Sequence, residues 1–335
     1  MGHRRINAPR RGSLSYLPRK RAERLVCRVV YWPSVNDARP RLLACLGYKA
    51  GMTHIFIKDD YERSQTFGRE IFRSATILET PPLVFCALRA YTRAVNGITT
   101  LTETWANKLP KDLERSVKMP EKIDTDAGLA KLEKALDGVV EFRAILCAQP
   151  RLAAVSKKKP EIIEVKIAGG AMKDQLEYAK SLLGKTIKVS DIFRAGQYLD
   201  IIGVTKGKGV QGPVKRFGVK VLQKKSRKVK RKPATLGPWT PHTVMHTVPR
   251  AGQMGFHRRT EYNKKILKTG NNGEEITPNS GFHKYGVIKG DYIILAGSVI
   301  GPTKRAIVLR YPARPPKLQE KPPEITYVNI TPIKS

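Results

Sequence analysis

The chain has 335 residues, 63 Lys and Arg against 28 Asp and Glu, a formal net charge of +35 and 41% hydrophobic residues. The apolar share suffices for a core, and the charge is far more than solubility needs, so it points to a polyanion such as RNA. A membrane partner is disfavoured: no apolar run reaches spanning length, the basic runs are broken by Gly and Pro, and residues 1–24 hold no secretory-type apolar segment.

Residues 1–40 read as an extended basic tail. Within residues 1–24, Arg4, Arg5, Arg10, Arg11, Arg19, Lys20, Arg21 and Arg24 stand against a single acid, Glu23, with small residues and prolines between them. Guanidinium groups fork onto phosphate and stack on bases, so RNA contact is expected here. Residues 41–108 carry short strand patterns: two strands in 41–58 joined at Lys49-Ala50-Gly51, apolar runs in 74–94 split by Pro81-Pro82, and weak alternation in 98–106. Short strands with turn signals predict the first part of a barrel or sandwich.

Residues 109–185 are richer in Asp and Glu and read as a helical insertion with flanking strands. Leu129, Leu132 and Leu136 keep helical spacing, and the clearest helix is 172–183, with Met172, Leu176, Ala179 and Leu183 on one face and Gly184 to close it. Before it, strands are expected at 139–147 and 161–167 around a basic turn, Lys157-Lys158-Lys159-Pro160. Residues 186–205 return to barrel strands, at 186–189 and 197–204. Residues 276–335 supply strands at 285–300, with a turn at Lys289-Gly290-Asp291, and at 306–311, then a proline-rich stretch and a last strand at 325–330. Strands on both sides of 206–275 place that segment as an excursion between neighbouring strands.

That excursion is the basic finger. From Ile201 through Thr260 there are fifteen Lys and Arg and no Asp or Glu, twelve of the fifteen between Lys206 and Lys232. They are Lys206, Lys208, Lys215, Arg216, Lys220, Lys224, Lys225, Arg227, Lys228, Lys230, Arg231 and Lys232, followed by Arg250, Arg258 and Arg259. Like charges with little apolar surface cannot offset a backbone ordering cost of about 1–2 kcal/mol per residue, so the finger is expected to be mobile until RNA orders it. Trp239 sits between Pro238 and Thr240-Pro241, which suits stacking on a base; the alternative is a Trp pinning the loop to its own core. His242 and His246 are four apart with no Cys near and prolines on both sides, so a phosphate or base contact, or plain surface placement, is favoured over zinc. Cys27, Cys45, Cys86 and Cys147 are widely spaced, without Cys-x-x-Cys, and read as buried free thiols.

Enzyme chemistry finds little support. Gly207-Lys208-Gly209-Val210-Gln211-Gly212 has dinucleotide-site spacing, but Pro213 follows where a helix should open, and the next acid is Glu261. Phosphate-loop, nucleophile-elbow and H-E-x-x-H patterns are absent, and Asp59-Asp60 and Glu274-Glu275 sit in polar, turn-like contexts. No catalytic residue, cofactor, metal or small-molecule substrate is assigned. The rivals are an RNA-modifying enzyme with a basic docking arm and a free architectural nucleic-acid protein.

Phe193, Asp200, Gly203, Thr205, Gly207-Lys208-Gly209, Gly212 and Arg216 fall at the spacing of a known motif. With them stand Gly237-Pro238-Trp239, Ala251-Gly252-Gln253-Met254-Gly255-Phe256-His257 and Gly47-Tyr48-Lys49-Ala50-Gly51-Met52-Thr53. In this order the chain resembles the universal ribosomal large-subunit protein three family, over most of its length. The resemblance implies a mainly β fold: a translation-protein-type β-barrel with a small helical insertion, a long basic finger and an extended N-terminal tail. It implies a structural, cytoplasmic constituent of the large subunit that binds large-subunit rRNA and neighbouring ribosomal proteins and acts early in assembly. Its finger would reach toward the peptidyl transferase centre and the aminoacyl-tRNA path. Trp239 then matches the finger tip, residues 227–232 the outgoing basic arm, and Gln253, His257, Arg258 and Arg259 the returning arm. Eukaryotic members have a His four residues after the Trp; here that position is Thr243, and His242 lies one earlier. The long tail, the insertion and the modest C-terminus resemble the archaeal type.

Overall fold

The computed structural model describes residues 7–35, 37–120, 123–225, 229–317 and 320–331. Of the expected RNA contacts, Arg4, Arg5, Arg227 and Lys228 lie outside the described residues. The chain divides into two compact units: Met1–Glu23 with Thr205–Arg258, and Arg24–Val204 with Arg259–Ser335.

The larger unit is built on strands. In chain order they are β1 (Arg41–Leu42), β2 (Ala44–Lys58), β3 (Glu70–Glu79), β4 (Leu83–Ala94), β5 (Gly97–Trp105), β6 (Glu141–Ala148), β7 (Glu161–Ala168), β8 (Thr186–Ile187) and β9 (Tyr198–Val204). The smaller unit adds β10 (Val210–Gln211) and β11 (Gly252–Gln253), and the series ends with β12 (Arg258–Gly270), β13 (Tyr292–Ala296), β14 (Ala306–Arg310) and β15 (Ile325–Val328). The helices are α1 (Thr125–Lys134), α2 (Met172–Leu182) and α3 (Pro213–Phe217).

A seven-stranded sheet runs β14-β9-β12-β13-β3-β2-β15, and a further pairing of β14 with β2 closes all of it but β15 into a barrel. Closure leaves its strands without free edges, which suits β-branched and aromatic side chains packing inward. β2 makes this possible because it is long. Its first residues, Ala44 to Tyr48, pair with β14, and its last, Ile55 to Ile57, pair with β15. The sequence predicts two strands over residues 41–58; the structure has one continuous strand there after the short β1. A register shift between Lys49 and Gly51 against β3 absorbs the extra residue, so the glycine marks a bulge and not a turn. A Cβ at Gly51 would lie 2.6 Å from the Phe282 ring, which explains the absence of a side chain.

A second sheet runs β1-β7-β6-β4-β5, with β8 beside the start of β4. The chain crosses from β3 to β4 through Thr80-Pro81-Pro82, where proline ends one strand without disturbing the next. α1 opens on Asp124, whose side chain accepts from the Ala127 amide at 3.0 Å. α2 matches the expected helix: Leu176 and Ala179 are buried, and Gly184 follows in a left-handed conformation, φ +79°. The four cysteines are free and buried.

The two fully buried carboxylates are hydrogen-bonded. Asp200, on β9, is fully buried and accepts from Arg310 Nη2 at 2.5 Å, from the Ala313 amide at 2.9 Å and from the Asn263 amide at 3.1 Å. Three elements far apart in sequence meet on this one carboxylate. Glu79 is also fully buried and accepts from the amides of Ala154 and Lys289 and the hydroxyl of Tyr285. Burial, then the neighbouring Glu79, pushes the Tyr285 phenol far above its ordinary value, so it acts as a donor only.

Candidate nucleic-acid interface

The smaller unit is a hairpin with a tail packed on its root. Its outgoing limb, residues 205–211, and its returning limb, residues 252–257, form a ladder. Thr205 N donates to His257 O at 3.0 Å, Phe256 N to Lys206 O at 3.2 Å, Lys208 N to Met254 O at 3.0 Å and Met254 N to Gly209 O at 2.9 Å. The pairing ends in β10 and β11, with Val210 opposite Gln253 and Gln211 opposite Gly252. The limbs approach so closely that a Cβ on Gly255, φ +71°, would lie 2.0 Å from Lys206 O, so only glycine fits. Glycines that look like flexibility in the sequence are here a condition of close backbone approach.

α3 is a single turn between the limbs, with Pro213 at its first position and Gly218 left-handed at its end. It holds Arg216 and Phe217. Arg216 turns back to the returning limb, donating from Nε to Gln253 O at 3.1 Å and from Nη1 to Arg250 O at 3.0 Å. Desolvation, then the charge of Arg19, lowers its pKa, and the two carbonyls compensate for that crowding. Phe217 lies between two cations, with the Arg19 guanidinium 4.6 Å and that of Arg216 5.1 Å from the ring centroid.

The tail joins the root at three further points. The Ala22 amide donates to Phe256 O at 2.8 Å, His257 Nδ1 lies 2.9 Å from Lys20 O, and the Arg21 guanidinium stands 4.9 Å over the Phe256 ring. Lys20 pairs with Glu23 at 2.8 Å. Gln253 Nε2 donates to Gly255 O at 2.9 Å, within its own limb. Several residues that the sequence marks as RNA contacts therefore have architectural partners: Arg216, Gln253 and His257 hold the root, and Arg19 and Arg21 cover its aromatic rings. Phe217, Phe256 and Thr205 complete this root, and no charge argument singles them out. A Phe following an Arg in a basic run is the signal that could have found the first.

Other expected contacts present their side chains to solvent. Lys206, Lys208, Lys215, Lys220, Lys224, Lys225, Lys230, Arg231, Lys232, Arg250 and Arg258 are exposed, as are Arg10, Arg11, Lys20 and Arg21, while Arg259 is half-buried. Between residues 219 and 249 the described chain has no helix or strand. Leu222 N reaches Lys230 O at 3.0 Å and Val248 N reaches Met245 O at 3.1 Å. Within this stretch Trp239 is 85% exposed, and His242 meets it edge-on at 5.9 Å between ring centroids. An indole so exposed does not pin a core, so the alternative role considered for Trp239 is excluded in this structure. Among the described residues no group of three or more His, Cys, Asp or Glu could hold a metal ion, and no helix is long and apolar enough to cross a membrane.

Such an arrangement can neutralise phosphates along both limbs and the tail while offering one exposed aromatic face. Comparison with known proteins gives the family. The family model described as Ribosomal protein L3 matches residues 1–332. A protein of Methanocaldococcus jannaschii named large ribosomal subunit protein uL3 is 51% identical over 329 residues, covering 97% of each chain. Proteins of the same name from Pyrobaculum calidifontis and Caldivirga maquilingensis are 50% identical over 318 residues and 46% identical over 342, covering 93% and 97% of this chain and 94% and 97% of theirs.

Proposed function

The chain belongs to the ribosomal protein L3 family, and on that premise we propose that it is a structural constituent of the large ribosomal subunit, with large-subunit rRNA and neighbouring ribosomal proteins as its partners. The observation that carries this reading is the smaller unit: an acid-free basic hairpin whose two limbs are joined by a backbone ladder and in which Trp239 is exposed. A free architectural protein would need the charge but neither the ladder nor the Trp. An RNA-modifying enzyme would need a reactive constellation, and the relatives at high coverage are named as ribosomal proteins.

The mechanism is positional. Exposed Lys and Arg of the segments 1–40 and 206–275 lower the repulsion between rRNA strands as they close together, and the exposed Trp239 stacks on RNA. The root, held by Arg216, Gln253 and His257, fixes the direction in which that indole is presented. We place the protein in the cytoplasm with the ribosome, its tip toward the peptidyl transferase centre and its assembly early. The test is sedimentation of native lysate at high salt. A purely electrostatic binder with about ten phosphate contacts loses up to ~10⁵ in affinity between 50 and 200 mM salt, whereas a chain threaded into folded rRNA stays with the large subunit. Release of the chain to the top of the gradient would overturn the proposal.

A further inference from the structure

In the larger unit, the outer face of the barrel carries a cluster of aromatic rings. Phe56 on β2 lies opposite Phe72 on β3 and opposite Tyr327 on β15. The ring centroids are 5.8 Å apart for Phe56 and Phe72, nearly perpendicular, and 6.1 Å apart for Phe56 and Tyr327. His54, one step along β2, meets Phe72 at 5.1 Å. Phe72 is 61% exposed, Tyr327 49% and Phe56 38%. Alternation along β2 and β3 requires side chains to point outward here, but nothing in strand geometry requires them to be aromatic. Contiguous exposed apolar surface of this kind marks an interaction site.

The charges beside the cluster favour one class of partner. Lys58 and Glu70 are the next outward pair along β2 and β3, and Lys58 is held by Glu324 at 2.6 Å. Glu70 makes no ion pair among the described residues, so the uncompensated charge on this face is negative. The chain carries +35 overall, yet here it offers phosphate a carboxylate in place of a cation. Phe56 and Phe72 pack edge against face and Tyr327 is tilted by 49° to Phe56, so the three rings share no single flat platform on which successive bases could stack.

Resting on the ribosomal reading above, we propose that the Phe56–Phe72–Tyr327 face of the barrel is a protein-docking surface. Its occupant is a neighbouring large-subunit protein that presents apolar side chains to the rings and a Lys or Arg to Glu70. Aromatic residues dominate such contacts at their centre, and a single complementary charge at the rim fixes register.

The test places a photo-reactive benzoyl-phenylalanine at position 72 in the full chain and isolates assembled large subunits before irradiation. The position is exposed, so the substitution leaves the barrel intact. The expected result is a cross-link to one ribosomal protein, mapped to a segment with apolar residues beside a Lys or Arg. Glu70→Lys should then lower the cross-link yield at least about threefold, through like-charge repulsion. A cross-link to rRNA, to a second copy of this chain or to no molecule, in subunits that contain the chain, overturns the docking proposal alone. Absence of the chain from the large-subunit fraction overturns the ribosomal reading and this proposal with it.

Discussion

Arg216→Ala separates positioning from phosphate binding. In the structure the side chain makes two hydrogen bonds from a charged donor to backbone carbonyls, at 3.1 and 3.0 Å, and a cation–π contact with Phe217 at 5.1 Å. Each hydrogen bond, being half-solvated, is worth about 0.5–1.5 kcal/mol, and the ring contact adds about 0.5 kcal/mol. Losing all three costs about 1.5–3.5 kcal/mol of root stability. Every 1.4 kcal/mol is a factor of about ten, so amide hydrogen exchange at Lys208, Met254 and Phe256 should speed up by about 10- to 300-fold. The second readout is the salt dependence of binding to purified large-subunit rRNA. A residue that neutralises a phosphate contributes about 0.7–0.9 to the slope of log affinity against log salt. Lys215→Ala, which removes an exposed neighbouring cation, should reduce the slope by that amount. Arg216→Ala should weaken binding and leave the slope as it was. Unchanged exchange together with a slope loss equal to that of Lys215→Ala would refute the positioning role.

Four further outcomes follow from the same geometry. Asp200→Ala leaves the buried Arg310 guanidinium without its carboxylate and should cost about 3–5 kcal/mol in chemical denaturation; a loss below about 1 kcal/mol would show that the barrel does not depend on this junction. Burial raises the Glu141 pKa, but hydrogen bonds and charge from Lys166 and Arg143 outweigh it, and the net shift is downward. Its contribution to stability is therefore present above the unfolded value of about 4.3 and lost as pH falls through the lower folded value; Glu141→Gln should flatten that acid limb, and an identical limb in denaturation curves would contradict the assignment. Trp239→Ala should leave melting temperature and incorporation into subunits unchanged, because the side chain is exposed, while altering aminoacyl-tRNA accommodation; unaltered tRNA binding would count against a role at the tip. Limited proteolysis of the free chain should cut first within residues 219–249, where the described backbone lacks a ladder, and rRNA should protect them; equal resistance in both states would sink the idea of ordering on RNA.

Much of this protein is legible in its residues because the relevant physics is local. Apolar runs split by Pro81-Pro82 mark the strands β3 and β4, and the spacing of Leu176 and Ala179 marks α2. A 60-residue stretch without an acid can be read for its partner with no knowledge of its shape, because like charges need a counterion wherever they lie. What the residues leave open is which strand meets which. Backbone ladder bonds are the same for every residue type, so the apolar run of β4 and the weak alternation of β5 reveal strands but not that they join β6, β7 and β8 in one sheet. β12 is harder still: Arg258, Arg259, Lys264, Lys265 and Lys268 make it look like more of the basic segment, and only Ile266 and Leu267 are buried, yet it is a barrel strand because β13 is there to pair with it. The meeting of Asp200 with Arg310, 110 residues away, and the turning of Arg216, Gln253 and His257 onto backbone carbonyls are likewise decided in three dimensions. Composition determines that a cation is present; only the packed chain determines whether its donors face phosphate or the protein's own carbonyls.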